Sequence, residues 1–236
     1  MASEHLVKSF DEQLERLNAT ISEMAGLAES QLQMALDALS RRDTDLAQRV
    51  IAGDARVDQL EKDVANQVVR LLALRQPMAI DLRAIVSALK ISSDIERIAD
   101  YAANLAKRSL VLSQLQPMRS LGGLDRLGRL VLGLLKDVFD AFAHNDVQKA
   151  MSVWLRDEEV DDMYTSLFRE LLTYMMEDPR TITACTHLLF MAKNIERAGD
   201  HVTNIAELVS FRSTGHGFEE ARPKGSAALY ATGSTP

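Results

Sequence analysis

A single cysteine, Cys185, stands in the 236 residues. Its isolation excludes an intramolecular disulfide and any zinc site built on paired cysteines. It lies in the apolar run TACTHLLFM (183–191), where a small buried side chain is the expected role. Aromatic residues make up only 5% of the chain, so the core has to be built from Leu, Ile, Val, Ala and Met. Proline (5) and glycine (11) are sparse, which leaves long stretches without a helix breaker. Basic charge is short as well: 27 Lys and Arg face 34 Asp and Glu, for a net charge of −7. A protein that neutralises nucleic-acid phosphates needs a basic face, so that role is disfavoured. Apolar runs such as 130–135 fall far short of the roughly 20 residues that span a bilayer. The opening MASEHLVKSFDEQLERL carries acids and none of the apolar core of a secretory signal. A cytoplasmic protein is expected, touching a membrane only through partners. There is no Gly-rich phosphate loop, no GxSxG and no recognisable Ser/His/Asp set, so nothing marks a catalytic nucleophile.

What is present is helical periodicity. Phe10, Leu14, Leu17, Ile21, Met24, Ala28 and Leu32 recur at steps of three and four. Ala84, Ala88, Ile91, Ile95, Ile98, Ala102 and Leu105 do the same without a break. Alternating fours and threes describe the seam of a helix bundle, and no stretch alternates with the period of two that a strand requires. Turn signals at 41–45 (RRDTD), 76–77 (QP), 116–123 (QPMRSLGG), 144–146 and 178–179 divide the chain. They predict helices near 5–40, 44–75, 79–115, 121–143, 146–177 and 181–211. The fold class is all-α: two tandem, duplicated three-helix bundles over 1–117 and 118–212. A flexible tail, rich in Gly, Ser, Thr and Pro, is expected over 213–236.

The chain repeats itself chemically. IERIAD (95–100) returns as IERAGD (195–200), and each copy sets a Glu and an Asp one helical turn apart: Glu96 with Asp100, Glu196 with Asp200. The helix before each copy carries a second acid pair, Asp54 with Asp58 and Asp157 with Asp161. Like charges at that spacing repel by roughly 0.2–0.5 kcal/mol, and a bound cation would reverse the sign. Asp58 lies 19 residues before Pro77 and Glu96 lies 19 after it; Asp54 and Asp100 each lie 23 away. In an antiparallel hairpin, equal distance from the turn means equal height. The second repeat matches about Pro179 to within one residue. Four carboxylates per hairpin should therefore face one another as two rungs about 6 Å apart along the axis. Because Ile95 and Ile98 lie on the seam, Glu96 and Asp100 lie off it, and the cation sites of both repeats should be open and surface-facing. All-oxygen ligation favours hard ions such as Mg, Mn, Ca or iron, with Zn remaining open. Arg97 and Arg197 are expected as salt-bridge partners, Trp154 as an inter-helix anchor, His187 as a core histidine and His201 as a flank residue.

On these residues the chain resembles the PhoU family, the accessory regulators of bacterial phosphate uptake. The duplicated E-R-x-x-D, the preceding D-x-x-x-D and the three-plus-three helix order carry the resemblance over about residues 5–212. It implies a non-enzymatic, often homodimeric protein that holds metal clusters on its bundles. By the same resemblance Asp54, Asp58, Glu96 and Asp100 form one site, and Asp157, Asp161, Glu196 and Asp200 the other. It further implies negative regulation of phosphate-responsive two-component signalling, with a sensor histidine kinase and the phosphate ABC transporter ATPase as partners. Two other functions compete. A carboxylate-bridged metal enzyme would need buried ligands, usually some His, and an open coordination position. A metal-free helical scaffold would use the acids only for solubility.

Overall fold

The computed structural model describes residues 2–75, 77–117 and 122–218. Helices α1 (Ala2–Arg41), α2 (Thr44–Arg75) and α3 (Ala79–Ser113) pack on one another as the first bundle. Helices α4 (Gly122–His144), α5 (Val147–Leu155), α6 (Asp157–Glu177) and α7 (Ile182–Thr214) form the second. The turns sit where the breakers put them. Asp43 accepts a hydrogen bond from the Leu46 amide, Asp146 from the Lys149 amide and Asp178 from the Arg180 amide, each satisfying a backbone donor left over at a helix or 3₁₀ start.

One expected helix is two. The segment 146–177 breaks at Arg156, which closes α5 with φ −90° and ψ 5° before α6 begins at Asp157. No Gly or Pro marks the place. The Arg156 guanidinium instead turns onto Glu159, 3.1 Å away, in the first turn of α6. The last helix also runs further than expected, to Thr214, and ends on Gly215 at φ 87°, a left-handed cap that glycine adopts without a Cβ penalty. The Phe218 ring lies 5.1 Å from that of Trp154. Residues 219–236, most of the expected tail, lie outside the described residues.

The seams form as the periodicity requires. Ile91, Ile95, Ile98, Ala102 and Leu105 on α3 are fully buried, as are Met191, Ile195, Val202 and Ile205 on α7. The two bundles meet mainly through α3 against α7, and also through α1 against α4, so the apolar core is continuous across both. Polar bonds cross this seam. Asp94 Oδ1 lies 2.7 Å from His201 Nδ1, and Arg108 stacks 4.2 Å over the Phe190 ring. His187, expected in the core, is half-buried there, its Nδ1 3.4 Å from Arg108. The α1–α4 contact is close enough to fix a residue type: a Cβ on Gly128 would stand 2.6 Å from the buried Leu36 methyl carbons. Gly133, on the same helix, would meet nothing within 4 Å. Gly128→Ala should therefore cost about 1 kcal/mol through overpacking, while Gly133→Ala should gain about 0.5–1 kcal/mol of helix propensity. Urea denaturation of the two variants checks the contrast.

Candidate functional site

Asp54 and Asp58 project from α2, Glu96 and Asp100 from the neighbouring α3, and all four are half-buried. Two of them feel the others' charge across the hairpin. Burial pushes the Asp54 carboxyl above its ordinary range; the charges of Asp100 and Asp58 push it further, and Lys107 pulls it back. Burial likewise raises Glu96, against the pull of Arg97, with Asp100, Glu61 and Asp58 adding to the rise. The repulsions run across the hairpin, from α3 to Asp54 and from α2 to Glu96, as the equal distances from Pro77 imply. Arg97 serves as the expected counter-ion, 3.5 Å from Glu96 and 3.6 Å from Asp100. It is half-exposed, and at those distances its screening of the cluster is loose. Glu61 is a fifth acid that the spacing argument missed. Its position one turn beyond Asp58 on α2 was the available signal.

The second set is built differently. Asp157 is buried, and its Oδ1 accepts a hydrogen bond from Thr203 Oγ1 at 2.9 Å. Glu196 is buried too. Its Oε1 lies 2.6 Å from Lys193 Nζ, while its Oε2 is enclosed with no hydrogen-bond partner. Burial raises the Glu196 carboxyl most; Lys193 opposes the rise, and Asp200 and Asp161 add to it. Lys193 itself also stands 5.3 Å over the Tyr164 ring on α6. The expectation of an outward-looking site therefore fails for Asp157 and Glu196. The reason is packing: α7 is flanked by α3, α4, α5 and α6, whereas α3 is flanked by α1, α2 and α7. More of the α7 circumference is covered, and a residue beside the seam is covered with it.

Among the described residues, no three Asp, Glu, His or Cys side chains stand together closely enough to hold one ion as they are now turned. The donor set nonetheless fits a hard cation in the first bundle. It is all oxygen, Asp54 and Glu96 already feel the charge of their acidic neighbours, and Arg97, beside Glu96 and Asp100, is half-exposed and 3.5–3.6 Å from them. Histidine takes no part: His201 is committed to Asp94 across the inter-bundle seam. Cys185 is buried, and burial pushes its thiol up, away from the reactive thiolate. No described helix is long and apolar enough to cross a membrane.

Comparison with known proteins bears on what such a pair of bundles is for. The PhoU domain model matches residues 21–109 and again 124–209. The chain is 55% identical over 223 residues to the phosphate-specific transport system accessory protein PhoU homolog of Caulobacter vibrioides, covering 94% of this chain and 97% of that one. It is 38% identical over 216 residues to the accessory protein of the same description from Escherichia coli K12, covering 92% and 90%. Among solved structures it resembles PhoU from Pseudomonas aeruginosa, with a TM-score of 0.85 at 39% identity over 87% of this chain and 99% of that one. It also resembles the phosphate transport system regulatory protein PhoU from Streptococcus pneumoniae, with a TM-score of 0.82 at 31% identity over 89% and 100%.

Proposed function

The chain belongs to the PhoU family of phosphate transport accessory proteins, and from that membership we propose a metal-binding negative regulator of phosphate uptake and phosphate-responsive two-component signalling. It is an accessory regulatory protein, not an enzyme. The observation that supports the metal reading is that Asp54 and Glu96, on facing helices, are each pushed up by burial and then by the charges of Asp58 and Asp100. A hard ion, such as Mg, Mn, Ca or iron, would be held there by carboxylate oxygens and would relieve that repulsion. Such an ion would stiffen the α2–α3 hairpin and so fix the face that a partner reads. The partners proposed are the sensor histidine kinase and the phosphate ABC transporter ATPase, with the regulator itself a homodimer in the cytoplasm. Exposed apolar side chains at the free ends of both hairpins give such partners something to grip: Leu74, Met78 and Ile80 in the first bundle, Met176 and Ile182 in the second.

The test joins metal to regulation. Glu96→Gln/Asp100→Asn keeps shape while removing two charges. When it replaces the native copy in cells, bound metal should be lost, and a phosphate-starvation reporter should be switched on although phosphate is plentiful. Full repression by a variant that has lost its metal would refute the regulatory role of the ion. The side-chain arrangement, in which no three acids among the described residues surround one point, gives the metal-free scaffold its support; a wild-type chain that takes up no Mn2+, Mg2+ or iron from solution would decide for it.

A further inference from the structure

Superimposing the repeats pairs Ser93 with Lys193 at the 100-residue offset that pairs Glu96 with Glu196. It pairs Glu61 with Tyr164 at the 103-residue offset that pairs Asp58 with Asp161. The same α3–α7 offset pairs Ala103 with Thr203. At two of these places the second bundle has a residue that answers an acid, at the third one that backs the lysine, and the first bundle has none of the three. Lys193 bonds Glu196 at 2.6 Å, Tyr164 lies under the same ammonium at 5.3 Å, and Thr203 bonds Asp157 at 2.9 Å. In the first bundle Ser93 brings no charge, Ala103 no donor, and Glu61 adds a further negative charge that Glu96 feels.

We propose that the two acidic clusters are not equivalent: the first takes a hard multivalent cation, and the second is closed by the chain itself, with Lys193 standing where an ion would stand. The first half of this statement rests on the function proposed above; the second half rests on the Lys193, Tyr164 and Thr203 contacts alone. An ammonium on a tether has an effective concentration that a dissolved ion must overcome. It lies 2.6 Å from Glu196 Oε1, and the aromatic ring beneath it adds a further attraction. The enclosed Glu196 Oε2 is the acceptor that this arrangement leaves without a hydrogen bond.

Equilibrium dialysis of the full chain against Mn2+, with bound metal measured per chain, tests the proposal. Wild type should hold Mn2+ in the first bundle only. Glu96→Gln/Asp100→Asn should lower Mn2+ affinity about tenfold or more, and Glu196→Gln/Asp200→Asn should leave it unchanged. Exchanging the partners between bundles should move the site: Ser93→Lys/Glu61→Tyr should abolish binding, and Lys193→Ser/Tyr164→Glu should create a second Mn2+ site. Circular dichroism reports whether each variant folds; should an exchange variant fail, the isosteric amide variants still decide. Equal loss of Mn2+ from both amide variants would overturn the inequality while leaving the metal reading intact. A wild type that binds no Mn2+ would overturn the metal reading itself and the first half of this proposal with it.

Discussion

Trp154→Ala should cost about 4 kcal/mol of folding stability, the middle of the range for removal of an aromatic from a core. Trp154 is the only tryptophan of the chain and is 1% exposed. It anchors α5, a helix of nine residues, against α7. A helix that short has little stability of its own and depends on the face it buries. The indole does three things at once: it fills the core, its Nε1 donates to Glu207 Oε1 at 2.9 Å, and its face meets Phe218. Trp154→Phe keeps most of the volume and loses the hydrogen bond, so its cost should fall to about 1–2 kcal/mol. Urea denaturation followed by circular dichroism measures both, because the variants lack the fluorophore. In wild type the same fluorophore reports on the second bundle alone. Coincident fluorescence and dichroism transitions are expected, since the core runs without a gap from one bundle into the other. A Trp154→Ala cost below about 2 kcal/mol would mean that α5 is held by something other than this side chain.

What could be read in advance divides along physical lines. The α3 seam, Ile91–Ile95–Ile98–Ala102–Leu105, was readable because burial on a helix repeats with the helix, and every one of these residues is inside. The turns were readable because Asp43, Asp146 and Asp178 are short side chains that reach back to free amides. Counting outward from Pro77 anticipated that Asp100 acts on Asp54 and Asp58 on Glu96 across the hairpin, since a hairpin converts sequence distance into height. The break at Arg156 did not follow, because no special residue makes it; its partner position in the first bundle is Gly53, and there α2 runs through unbroken. Nor did the burial of Glu196. Periodicity tells which side of a helix faces its nearest neighbours, not how many further helices close around it. The contrast between Lys193, Tyr164 and Thr203 and their counterparts Ser93, Glu61 and Ala103 was visible letter by letter. It became chemistry only once α6 and α7 were seen to bring the three to the acids.

Lys193→Met should destabilise the protein by about 2–3 kcal/mol near neutral pH, and the loss should shrink as the pH is lowered. Removing one partner of a fully buried ion pair costs about 3–5 kcal/mol. The Lys193 side chain is 38% exposed and Glu196 only 11%, so water replaces part of what the ammonium supplied, and the figure is discounted accordingly. The pH dependence has a definite sign. Burial already holds the Glu196 carboxyl above its ordinary range, with Lys193 working against the rise. Without the lysine it must rise further. A carboxyl whose folded value exceeds its unfolded value contributes stability that is complete below the unfolded value, about 4.3, and is lost as pH climbs through the folded one. The variant therefore carries its full penalty at pH values where Glu196 must be ionised, and progressively less toward pH 5. Lys193 moves the other way: burial alone would lower it, but the bonds to Glu196 and the charge of Asp200 leave it above its ordinary range. Its contribution to wild type thus persists through neutral pH and fades only in strongly alkaline solution. Adding Glu196→Gln to the lysine variant removes the charge left without an answer, so the double variant should recover most of the loss and show a flatter pH profile. Thermal denaturation of the three variants between pH 5 and pH 8 supplies the cycle. A Lys193→Met deficit that stays constant across that range would show that the ammonium acts through its contact with the Tyr164 ring, and not by answering the buried carboxylate.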